Sequence, residues 1–121
     1  MQNQTKKAVI YCRTANANQD DAVSNIIEQE TECRLYAAKH GYEVAQAFHD
    51  NGHSGLTINR PSFRLMLVTL LAAPTPYVVI TTAMEKLARD VSDFSTICKL
   101  VDGLGGELLF TSDEDISGGK A

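Results

Sequence analysis

Four short strand-like runs, two of them wholly or largely apolar and one alternating Val44 with polar neighbours, alternate with three segments of helical period, and that order leaves few folds open to this chain. The runs are Ala8–Cys12, Tyr42–Phe48, Tyr77–Thr82 and Glu107–Thr111. Ala8–Cys12 and the β-branched Tyr77–Thr82 suit strands buried on both faces. Between the first two runs, Val23, Ile26, Ile27, Cys33 and Ala37 fall near helical spacing, predicting a helix over Ala22–His40 with Gly41 as its cap. Pro61 opens a second helix at the position proline tolerates best. Phe63, Met66, Leu67, Leu70 and Leu71 then form one apolar face, and Pro74 and Pro76 end it. Asp90 is placed to cap a third helix, lined on one side by Val91, Phe94, Ile97, Cys98, Val101 and Leu104 and stopped at Gly105-Gly106.

Strand and helix in strict alternation predict an α/β fold, a three-layer α/β/α arrangement on a mainly parallel sheet. Ala8–Cys12 and Tyr77–Thr82 are expected to lie side by side at its centre. A length of 121 residues suits one domain, 1–121, with a core of about 8–117 and a fraying tail over 112–121. Asp50-Asn51-Gly52-His53-Ser54-Gly55 is turn chemistry and is expected to open a mobile loop.

Composition narrows the function classes. No stretch is apolar for long enough to cross a membrane, and Lys6-Lys7 has no long apolar run behind it, so no secretory signal is expected. Cys12, Cys33 and Cys98 are odd in number and far apart, each within an apolar pattern. Buried, reduced thiols and a cytoplasmic setting follow. The net charge of −4 argues against strong autonomous DNA binding, because phosphate-gripping proteins show a basic face.

Ligands of parallel α/β sheets sit at the carboxyl ends of the strands. That rule places Arg13–Asn18, Asn51–Arg60 and Ala83–Arg89 on one functional rim. Arg13, Arg60, Lys86 and Arg89 are the cations there. Converging guanidinium forks and free backbone N–H groups suit a phosphate, while surface charges in weak ion pairs are the plain alternative. His49 and His53 lack a Cys or carboxylate cluster with metal spacing, and Asp113-Glu114-Asp115 reads as a solvated acidic run. No metal and no cofactor is expected.

The segment Tyr11-Cys12-Arg13-Thr14-Ala15-Asn16-Ala17-Asn18-Gln19 resembles the opening motif of the serine site-specific recombinases, the resolvase/invertase family. There the pattern is Tyr-x-Arg-x-Ser-Thr-x-x-Gln and the Ser attacks DNA. Ser54-Gly55, Asn59-Arg60-Pro61, Glu85 to Asp90 and Asp115-Ile116-Ser117 also resemble family motifs, in the family's order. The resemblance implies that Arg13, Arg60 and Arg89 match phosphate-stabilising arginines and that Gln19 matches the motif's Gln. It puts Ala15 at the nucleophile position, where a methyl group has neither lone pair nor proton to give. It also puts Glu85 where the family has Asp and Lys86 where it has Arg, which keeps charge but loses the planar fork.

The expectation is a recombinase-like domain, inactive or incomplete, that binds DNA phosphate or a partner recombinase subunit without cutting. An active catalytic domain cropped from a longer chain is the alternative. The family's catalytic domain is followed by a long dimer-forming helix and a DNA-binding domain, and without them a monomer or weak dimer is expected. A flavodoxin-like or receiver-like module fits poorly. Arg13–Gln19 has no Gly for a flavin phosphate loop, and Arg13 and Ala83-Met84 stand where a receiver needs acids.

Overall fold

The computed structural model describes residues 6–14, 19–51, 61–88 and 90–112, with the backbone alone at 19–23 and 51. Its elements run β1 (Lys7–Thr14), α1 (Gln19–His40), β2 (Glu43–Asn51), α2 (Pro61–Ala72), β3 (Val78–Thr81), a 3-10 turn (Met84–Lys86), α3 (Val91–Gly103) and β4 (Glu107–Phe110). The four strands form one sheet in the order β2-β1-β3-β4, every neighbouring pair parallel. The two most apolar runs, Ala8–Cys12 in β1 and Val78–Ile80 in β3, are therefore central neighbours, buried on both faces as such runs suit.

The pleat sends alternate residues to opposite faces. Ala8, Ile10, Cys12, Val78 and Ile80 pack under α1 with Ile26, Cys33 and Ala37. Val9, Tyr11, Phe48 and Val79 pack on the other face with Phe63, Met66, Leu70, Ile97 and Val101 from α2 and α3. Three layers result. Phe63 is fully buried, and its ring meets that of Tyr11 edge-on at 5.4 Å between centroids. No helix among the described residues is long and apolar enough to cross a membrane.

Helix ends follow local chemistry. Gly41 takes φ +79° just past α1, where its amide bonds to Ala38 O. Asp90 caps α3, accepting a bond from Asp93 N at 2.9 Å. Gly105 takes φ +81° after α3, and a Cβ on Gly106 would meet Val101 Cγ1 at 2.9 Å.

Several expected positions differ. Ile27 is 57 % exposed and Leu71 is 72 % exposed. Adjacent helical residues are about 100° apart, so a stripe centred on Ile26 or on Phe63, Met66 and Leu70 turns its neighbour outward. Val91, at the first position of α3, is likewise exposed. Cys98 is half-buried, whereas Cys12 and Cys33 are fully buried. Asp50 and Asn51 continue β2 rather than starting a turn, because β1 runs on beside them as Arg13↔Asp50 and Thr14↔Asn51. The expected tail from Asp113 onward, and Val23's side chain, lie outside the described residues.

Candidate functional site

Strand β1 outruns its partner β3. Their ladder covers Ala8↔Val78 to Ile10↔Ile80, whereas the ladder with β2 continues to Thr14↔Asn51. Tyr11 lies level with Thr81, the last residue of β3, and Cys12 to Thr14 thus project past β3 at the carboxyl rim. Backbone groups there need other partners. The Thr81 hydroxyl donates to Tyr11 O at 2.8 Å. The carboxamide of Gln29, from α1, accepts from Arg13 N at 3.0 Å and donates to Arg13 O at 2.9 Å.

Arg13 is itself nearly buried. Its guanidinium reaches the turn after β3, where Nε donates to Lys86 O at 3.0 Å and Nη2 donates to Glu85 O at 2.6 Å. The 3-10 turn exposes these carbonyls at its end, and the planar fork of Arg suits two adjacent acceptors. The structure therefore brings Arg13 to the Glu85–Lys86 segment. Both of these acceptors are main-chain oxygens; Glu85 is exposed and Lys86 is half-buried.

Asp50 closes the other side of the rim. Its Oδ2 accepts from the Tyr11 hydroxyl at 2.8 Å and from Phe63 N at 3.0 Å, and its Oδ1 accepts from Ser62 N at 2.9 Å. A carboxylate at the end of β2 thus caps α2 across the intervening loop, satisfying two amides that a helix start leaves open.

Of the residues singled out from the sequence, Arg13, Glu85 and Lys86 lie on this rim. Ala15, Arg60 and Arg89 lie outside the described residues, and of Gln19 only the backbone is described, as the first residue of α1. Gln29, Asp50 and Thr81 were not anticipated. Gln29 left a trace: it is a polar residue in the stripe Ile26, Gln29, Cys33, Ala37, and it is buried. Asp50 was hidden in a cluster of turn residues.

Away from the rim, His49 Nε2 and Arg34 Nε each lie 2.7 Å from a Glu30 oxygen. Burial pushes the Glu30 carboxyl up, but the hydrogen bonds from Arg34 and His49 outweigh it and hold it below its ordinary value. His53, the other histidine of the expected pair, lies outside the described residues. Among the described residues no group of three His, Cys, Asp or Glu is placed to hold a metal ion. Burial, reinforced by Glu30, pushes the Cys12 thiol up to about 12 against the opposing effect of Arg34 and Lys86. Burial pushes Cys33 up further, with Cys12, Glu32 and Glu30 adding to it. An open cavity of about 450 Å³ lies between α3 and the amino end of β4, lined by Cys98, Asp102 and Glu107 among others. It is at the wrong end of the strands for the rim.

The fold recurs among solved structures. The N-terminal catalytic domain of TP901-1 integrase superposes with a TM-score of 0.80 at 23 % identity, over 89 % of this chain and 79 % of that one. A resolvase family site-specific recombinase from Streptococcus pneumoniae gives 0.74 at 21 %, over 89 % and 73 %. The C-terminal catalytic domain of ISC1926 TnpA, an IS607-like serine recombinase, gives 0.73 at 24 %, over 88 % and 70 %. Among curated proteins none matches this chain. The family model described as "Resolvase, N terminal domain" matches residues 8–120, nearly the whole sequence. That match, with a parallel sheet in the order β2-β1-β3-β4 that the solved catalytic domains share, makes this chain a member of the resolvase N-terminal domain family, serine-recombinase catalytic-domain-like and related to DNA recombination.

Proposed function

We propose that this domain binds a DNA phosphate, or a partner recombinase subunit, without cutting the strand. The observation that carries the reading is Ala15, two residues beyond Arg13, at the position where the family motif holds its nucleophile. The covalent route needs an oxygen there, and a methyl group supplies none. Thr14 does not replace it, because its side chain is buried in β1.

Arg13, Arg60, Lys86 and Arg89 form the proposed anion site, with Glu85 and Gln19 as the remaining motif positions. Support comes from Arg13 and Lys86 sharing the rim. A phosphate reaching the Arg13 guanidinium competes with the neutral carbonyls of Glu85 and Lys86. It does so favourably, since a charged acceptor makes the stronger bond. With a net charge of −4 the contact is weak, local and steeply salt-dependent.

The test is a suicide DNA substrate that traps a protein–DNA link. No covalent adduct is expected, and inorganic phosphate should shift the amides around Arg13 and Lys86. An SDS-resistant adduct mapping to any residue overturns the reading in favour of an active catalytic domain. Ala15→Ser is expected to restore little, because loss of one transition-state donor costs about 10²–10³ in rate and Lys86 stands where the family has Arg.

A further inference from the structure

In a parallel strand the N–H and C=O of one residue face the same side, and residues two apart face the same neighbour. The carbonyl of Tyr11 turns toward β3 and takes the Thr81 hydroxyl. Arg13, two residues on, turns its backbone groups the same way, beyond the last rung of the β1–β3 ladder at Ile10↔Ile80. Gln29 fills that place. A backbone N–H only donates and a backbone carbonyl only accepts, so the pair needs one acceptor and one donor side by side. A carboxamide offers both, whereas a carboxylate of the same length offers only acceptors and a leucine offers neither. The group is held in its turn: Gln29 is 5 % exposed, and its Nε2 also donates to Asn25 Oδ1, one helical turn back on α1.

We infer that Gln29 is the positioning residue of the rim, a side-chain substitute for a strand that holds Arg13 extended so that its guanidinium meets Glu85 O and Lys86 O. The amide fixes the backbone of Arg13, and the side chain leaves from that backbone. The same bracket keeps β1 straight up to Thr14, the residue before Ala15. The geometric part stands on the contacts alone, while the consequence for anion binding rests on the function proposed above.

The experiment uses the ¹⁵N-labelled full chain and reads three signals by NMR: exchange of the Arg13 amide, the Arg13 Nε–H resonance, and shifts on titration with inorganic phosphate. In Gln29→Leu the Arg13 amide should exchange about tenfold faster, the equivalent of one lost hydrogen bond. The Nε–H resonance should move or broaden, and the amides of Val9, Ile10 and Val79 should keep their protection. Phosphate should bind several-fold more weakly. Parent-like exchange and an unmoved Nε–H in Gln29→Leu overturn the inference. Asn25→Ala and Gln29→Glu guard against a variant that does not fold. Asn25→Ala loosens the carboxamide without emptying its place, and faster Arg13 exchange in it supports the inference. Gln29→Glu should also speed Arg13 exchange: one oxygen can still accept from Arg13 N, but the other meets Arg13 O and Asn25 Oδ1 with no proton between them and pushes the bracket apart, and an unchanged rate in both variants overturns the inference. If the parent itself ignores phosphate, the function proposed above fails, and the Arg13 exchange rates still decide the role of Gln29.

Discussion

The hydroxyl of Tyr11 donates to Oδ2 of Asp50 across 2.8 Å, joining the centre of the sheet to the end of its edge strand. The same carboxylate takes the first amides of α2. One side chain therefore ties β1, β2 and α2 at the rim. Tyr11→Phe removes one donor and should cost about 1–2 kcal/mol in urea unfolding, while Asp50→Ala removes the acceptor shared by the phenol and both amides and should cost about 3 kcal/mol or more. The two losses should not add, since they share a bond. Additive losses would show that the Tyr11–Asp50 bond contributes nothing of its own.

The thiols should divide by burial. Cys12 and Cys33 are fully buried with thiols pushed up by desolvation, so almost no thiolate is present at neutral pH. Cys98 is half-buried beside an open cavity. A thiol reagent on the native protein should modify Cys98 first and reach the other two only as the protein unfolds. Peptide mapping after a short exposure checks this, and early labelling of Cys12 would contradict it.

Asp90 offers a local test of the third helix. It sits in extended geometry before Val91 and accepts from Asp93 N. Asp90→Ala should lower stability by about 1 kcal/mol, and Asp90→Ser should recover most of that. Thermal unfolding of the three proteins gives the comparison.

The Glu30 cluster predicts a pH effect of defined sign. The folded carboxyl is held below its ordinary value of 4.5, so the folded state binds this proton less readily than the unfolded chain. The stabilisation is present above the unfolded value and is lost as pH falls through the folded one. Arg34 and His49 are partly exposed, which limits the effect. Glu30→Gln should cost about 0.5 kcal/mol at pH 7, and the difference from the parent should shrink on acidification. A gap that widens below pH 4 would contradict the assignment.

Much of the fold was legible because its signals are local. The apolar runs at Ala8–Cys12 and Tyr77–Thr82, proline at the start of α2 and Asp90 before α3 each act within a few residues. Chain order then limits how such pieces join. Errors fell where a stripe had to be narrowed. Ile27, Leu71 and Val91 are apolar and near-periodic, but only the position of the sheet says which residue of an adjacent pair faces it.

The site was legible in part. The segment from Tyr11 to Gln19 pointed to the carboxyl end of β1, and Arg13 lies there, on the rim. The sequence by itself determined the alternating α/β order, the placement of the apolar central strands and the presence of cations at the end of β1 and after β3. Only the tertiary structure decided how far β1 outruns β3, and with it the roles of Gln29, Thr81 and Asp50. These residues lie 16, 70 and 12 or more positions from the groups they satisfy. Hydrogen-bond partners so distant in sequence leave no periodic mark, because their pairing is set by where strands end and not by the residues around them.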